Sequence, residues 1–147
     1  MCFSVCHETP NRIYKGGMMK LENQVTSLEL AKQLKEAGYP QEGLFYWWKK
    51  AGLTPKVDFH AYVKFSNYVD LKDIFVVAPT VAELGEALPD FVAEDFGLEM
   101  IKIGKSWVIN YTWEYVNESG AIGGESSENL AECFALMWLK LKEEGLL

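Results

Sequence analysis

Residues 98–116, Leu98-Glu99-Met100-Ile101-Lys102-Ile103-Gly104-Lys105-Ser106-Trp107-Val108-Ile109-Asn110-Tyr111-Thr112-Trp113-Glu114-Tyr115-Val116, decide the fold, because two apolar runs are joined there by a two-residue link. Strands are expected around 98–103 and 107–116, with Gly104-Lys105 as the turn. Glycine stands where a II′ turn needs a positive φ, and so short a link permits only antiparallel neighbours. In the second strand Trp107, Ile109, Tyr111, Trp113 and Tyr115 share one face. Val108, Asn110, Thr112, Glu114 and Val116 share the other, the pattern of a sheet buried on one side.

Towards the C-terminus, Asn117–Glu125 is rich in glycine and polar residues and is expected to be a loop. Ser126 or Ser127 then caps a helix running to about Glu144. Its apolar stripe is Leu130, Phe134, Met137, Trp138 and Leu141, and Gly145 ends it.

Towards the N-terminus, Pro79 introduces the capping box Thr80-Val81-Ala82-Glu83, which opens a short helix ending at Leu88-Pro89. Asp73–Val77 is a buried strand. In Asp58–Phe65 the alternation turns Phe59, Ala61, Val63 and Phe65 inward and Asp58, His60, Tyr62 and Lys64 outward. Leu44-Phe45-Tyr46-Trp47-Trp48 is apolar on both faces, as a central strand is, although five residues also fit a short helix. Thr26-Ser27-Leu28-Glu29 forms a further capping box, with Val25 and Leu30 placed for a hydrophobic staple. The helix spans about 27–37, and Gly38 and Pro40 stop it.

The order is therefore α-β-(β)-β-α-β-β-α, without regularly spaced βαβ crossovers. An α+β fold is expected, a mostly antiparallel twisted sheet with about three helices packed on it. Residues 1–24 read as an irregular N-terminal segment and 25–147 as a single α+β domain. Lys15-Gly16-Gly17 directly precedes Met18-Met19, and its codons can spell a ribosome-binding site, so 1–17 is a candidate translated leader.

The chain has 147 residues and a net charge of -7, and its only arginine is Arg12. A negative field with one guanidinium argues against nucleic-acid binding, where phosphate neutralisation dominates affinity. Three cysteines are too few for a disulfide scaffold. No apolar run approaches the ~18–20 residues of a membrane span, and the expected compartment is the cytoplasm.

Candidate chemistry is sparse, and no cofactor or metal is expected. Cys2, Cys6 and His7 offer three ligands where a structural zinc site takes four. His60 has Asp58 and Tyr62 at i±2, nearly 7 Å away along a strand and too far for direct hydrogen bonding. Gly120-Ala121 and Gly123-Gly124 precede a helix but lack the lysine-serine pair of a phosphate loop. Glu83, Glu86, Asp90, Glu94 and Asp95 crowd one segment without the alternation of a calcium loop. The aromatic surplus stands out. If one face of the 44–48 strand is covered by a partner, Tyr46, Trp47, Trp48, His60 and Tyr62 form a candidate partner or ligand surface.

Val25–Lys32, Leu44–Trp48, Ala78–Gly85 and the ending Glu125–Glu132 with Leu136–Lys140 resemble uncharacterised phage and prophage proteins, a family of unknown function. The resemblance covers about 25–147. It rests on helix caps and core positions, so it implies a scaffold and no catalytic residue. A non-enzymatic accessory or interaction protein, binding another protein or itself, is the expected class. The alternatives are a ligand-binding protein or enzyme with a pocket near His60, and an acidic DNA mimic that inhibits a DNA-binding protein.

Overall fold

The computed structural model of the chain describes residues 20–49, 52–59, 75–93, 95–115 and 118–147. A 3-10 turn, Leu21–Asn23, precedes helix α1 (Leu28–Glu36) and strands β1 (Phe45–Trp48), β2 (Lys56–Phe59) and β3 (Phe75–Val77). Helix α2 (Val81–Ala87), strands β4 (Phe91–Val92), β5 (Phe96–Ile103), β6 (Ser106–Tyr115) and β7 (Glu118–Ser127), and helix α3 (Leu130–Glu143) follow. The chain adopts the expected α+β class, with antiparallel pairing and, among the described residues, three helices. The strands divide between two sheets, however, ordered β2-β1-β3 and β4-β5-β6-β7. The candidate leader, Ala61–Phe65, and Asp73 and Ile74 lie outside the described residues.

β1 is the central strand expected of Leu44–Trp48, beginning one residue later. Tyr46 and Val77 enter the main core with Leu34, Leu84, Ile109, Tyr111, Met137 and Leu141. Trp47, Val57 and Val76 point the other way, into a smaller cluster closed by Val25, Ala31 and Ala78. A strand apolar on both faces thus finds an apolar lining on each. Phe59, expected to face in, shares the face of buried Val57 but is exposed near the end of its strand, with its ring edge on Phe45.

Helix α3 lies against β6 and β7 and receives α1 and α2. Phe134, Met137, Trp138 and Leu141 are buried as its stripe requires, with Ala131, Cys133 and Ala135 between them. Each large apolar side chain so buried stabilises the fold by about 1.5–3 kcal/mol before entropy is counted. Gly145 closes α3 in a Schellman motif, its φ of 71° letting Leu146 N–H reach Leu141 O at 2.8 Å.

Three local expectations are corrected. Of the loop expected over Asn117–Glu125, the described part, 118–125, is strand: 118–127 is β7, paired along β6. Its glycines serve a bulge at Ile109/Asn110, where Gly123 and Gly124 take φ of 100° and 103° and the extra residue is absorbed. The cap of α3 is Asn129, whose side chain accepts from Ala131 N–H, because Ser126 and Ser127 still belong to β7. Ser127 Oγ instead accepts from Asn129 N–H and donates to Glu132.

The third concerns Thr26. Its capping box does not form; Ser27 is the N-cap of α1 and makes no side-chain cap bond. Thr26 is fully buried in extended chain, its N–H donating to Pro79 O at 3.1 Å, beside a bridge between Val25 and Thr80. Val25 and Leu30 fall in different core clusters, so the staple is absent too. The box at Thr80 and Glu83 forms in full. Its carboxylate also accepts Leu44 N–H at 2.9 Å, which ties α2 to the entry of β1.

Candidate functional site

Among the sequence candidates, Tyr46 and Trp47 are core. Tyr46 stacks on Phe75 with centroids 4.6 Å apart and donates its hydroxyl proton to Gln41 O at 3.0 Å. Trp47 donates its indole N–H to Thr26 O at 2.8 Å. Trp48 is half-buried, its Nε1 donating to Asp58 Oδ2 at 3.0 Å. Lys56 binds the same oxygen at 2.9 Å and lies over the Trp48 ring, 4.5 Å from its centroid. Asp58, the residue expected beside His60, is therefore occupied by Trp48 and Lys56. His60 and Tyr62 themselves lie outside the described residues, as do Cys2, Cys6 and His7.

Among the described residues no three His, Cys, Asp or Glu side chains converge as a metal site. Cys133 is buried on α3, its thiol donating to Trp107 O at 3.2 Å. Burial raises its pKa and a bond to Ser127 O only partly opposes this, so it is a packed thiol, not an activated nucleophile. In the acidic segment Glu83 is spent on the cap of α2, and Glu94 lies outside the described residues.

A cavity of about 680 Å³ opens where Asn23 and Gln24, the start of α2 and the start of α3 meet. Phe45, Val81, Trp107 and Leu130 give it an apolar wall. Of its polar groups, Thr80 caps α2, and Asn129 caps α3 while donating Nδ2–H to Val25 O at 2.9 Å; Asn23, Gln24 and Glu128 line it as well. No acid–base pair faces it among the described residues. Such a site can hold an apolar group, and of an acid–base pair it offers the Glu128 carboxylate alone among the described residues.

The least satisfied surface is the outer part of β5. β4 pairs only with Phe96 and Gly97, so among the described residues 98–103 have a strand on the β6 side alone. Along this free edge Ile103 is 63% exposed, Met100 47% and Ile101 40%, and Phe91 of the adjoining β4 is 64% exposed. The register fixes their faces. Leu98, Met100 and Lys102 lie opposite Tyr111, Ile109 and Trp107 on the α3 side, while Glu99, Ile101 and Ile103 lie opposite Asn110, Val108 and Ser106 on the outer side. Natural edges usually carry charges, a proline or a bulge that discourage pairing, and here two charges, Glu99 and Lys102, are all that do so. The signal was present in Leu98–Ile103, whose apolar residues alternate poorly, but the sequence did not show that β4 would stop short.

No helix among the described residues is long and apolar enough to cross a membrane. No protein-family model matches the chain, and neither a curated protein nor a solved structure gives a significant match.

Proposed function

We propose that this chain is a non-enzymatic protein-interaction domain, an accessory factor of the phage kind its sequence resembles, working through the edge of β5. One observation carries the reading: a strand edge unpaired among the described residues, bearing Met100, Ile101 and Ile103 and continued by Phe91. Main-chain groups on such an edge supply affinity by strand addition, and alternate side chains supply selectivity. The occupied Asp58, the packed Cys133 thiol and a cavity without an acid–base pair among the described residues all weigh against a hydrolytic or transfer site.

Photo-crosslinking in the cell tests it. A benzophenone amino acid at Ile103 is expected to give a protein adduct, and the same group at Lys32, exposed on α1, none. The adduct is expected to vanish with Met100→Pro. If position 103 gives no adduct with any protein, the reading is wrong.

A further inference from the structure

We infer that the occupant of the β5 edge is a second copy of the same chain, paired antiparallel about a two-fold axis through Ile101; this rests on the interaction reading above. The main-chain bonds select that register. Leu98 N–H points away from β6, since it donates to Asp90 O at 3.2 Å. Along an antiparallel strand the N–H and C=O of one residue share a side, and the side alternates. Met100 and Lys102 therefore also aim both groups outward, and they are the two residues of the free edge beyond β4.

A two-fold axis at Ile101 sets Met100 against Lys102 of the second copy, and the reverse. Each pair exchanges both N–H···O bonds, so the outward groups of Met100 and Lys102 are all satisfied. Centring on Met100 would require Leu98 N–H, already given to Asp90, and would drive the incoming strand into β4. Centring on Lys102 would set two ammonium groups opposite one another, which is destabilising.

The outer face then closes on itself. Ile101 meets its own copy in the close, non-hydrogen-bonded kind of pair. Ile103 of the second copy comes opposite Glu99 and diagonal to Gly97. The Phe91 ring already leans over Gly97, its Cε1 standing 3.5 Å from where a Cβ on that glycine would be. The most exposed aromatic among the described residues and the most exposed β5 isoleucine are thereby brought together. The row runs Phe91, Ile103, Ile101 and back through the symmetric set. The turn of the second copy ends against β4, bringing Lys105 to the acidic end marked by Asp90 and Glu99. Length, hydrogen bonds, apolar surface and charge all fit a copy of this edge, the self-complementarity an isologous interface demands.

Light scattering on the full chain tests the pairing. The expected mass is twice 16.7 kDa at micromolar concentration, falling to the single-chain value on dilution. Met100→Pro removes one outward N–H without touching the bonds to β6, a position where an edge strand tolerates proline. It is expected to give a folded single chain with unchanged far-UV dichroism. In a Cys2→Ser, Cys6→Ser background, Ile101→Cys is expected to form a covalent dimer on mild oxidation, within the ~4.5–5.5 Å Cβ spacing of opposed residues, and Lys32→Cys is not. A single chain at every concentration overturns the dimer. So does a dimer indifferent to Met100→Pro. If the chain is single while Ile103 still cross-links to a different protein, the dimer falls and the interaction reading stands.

Discussion

Trp47 Nε1 donates to the main-chain carbonyl of Thr26 at 2.8 Å, inside the smaller core cluster, and this bond fastens the first sheet to the entry of α1. Trp47→Phe keeps an aromatic ring but leaves a buried carbonyl without its donor. A loss of about 1–3 kcal/mol is expected. Urea unfolding should show a lower midpoint with an unchanged slope, because the surface exposed on unfolding hardly changes.

Thr26 gives a prediction of opposite sign to the one a capping role would give. Its Oγ1 is buried and has no hydrogen-bond partner among the described residues. Thr26→Val replaces an unsatisfied hydroxyl by a methyl of nearly the same shape, so stability is expected to hold or to rise by up to about 1 kcal/mol. An N-cap would instead lose about 1 kcal/mol. Thermal unfolding of this one variant separates the two roles.

Where sequence and structure agree, the deciding physics is local. Thr80 and Glu83 cap a helix because the partners lie three residues apart, and Gly104 opens the β5–β6 turn with φ of 63° because the turn needs nothing else. Leu44–Trp48 was legible as a central strand because two apolar faces need two covers. The disagreements are non-local. Thr26-Ser27-Leu28-Glu29 has the composition of a cap, but Pro79 O and the Trp47 indole claim the Thr26 backbone from distant segments. Residues 118–127 look like a loop because glycine normally weakens strands; a register of nine pairs with β6 and the nearness of α3 override that preference. The edge of β5 was hidden for a similar reason, since its exposure depends on how little of it β4 covers.

Gly123 is the position where that override is most demanding. A Cβ built there, at φ of 100°, would overlap Met137 Cε within the α3–β7 contact. Gly123→Ala thus combines backbone strain with a steric clash in the core, and a loss above about 2 kcal/mol is expected. Gly104→Ala, at φ of 63° with open space around it, meets the backbone term alone and is expected to cost about 1–2 kcal/mol. The difference between the two chemical-denaturation midpoints measures the packing term. Equal losses would show that Met137 simply moves aside.

Alkaline titration reports on two other buried groups. Burial, reinforced by Asp90, pushes Tyr111 from 10.0 to about 12, and burial with Glu83 and Glu86 does the same for Tyr39. The folded state holds these protons where the unfolded chain releases them, so it binds more protons between pH 10 and about 12. Stability from this source is complete below pH 10 and is lost as pH rises towards the folded values near 12. Tyr39→Phe should therefore flatten the fall in stability above pH 10. Tyr111→Phe should flatten it too, while lowering stability at neutral pH because the 2.6 Å bond from its hydroxyl to Pro89 O is gone. Denaturation midpoints at neutral pH and at pH 11 for the two variants and the parent read both effects. An alkaline slope unchanged in both variants would place the responsible groups elsewhere.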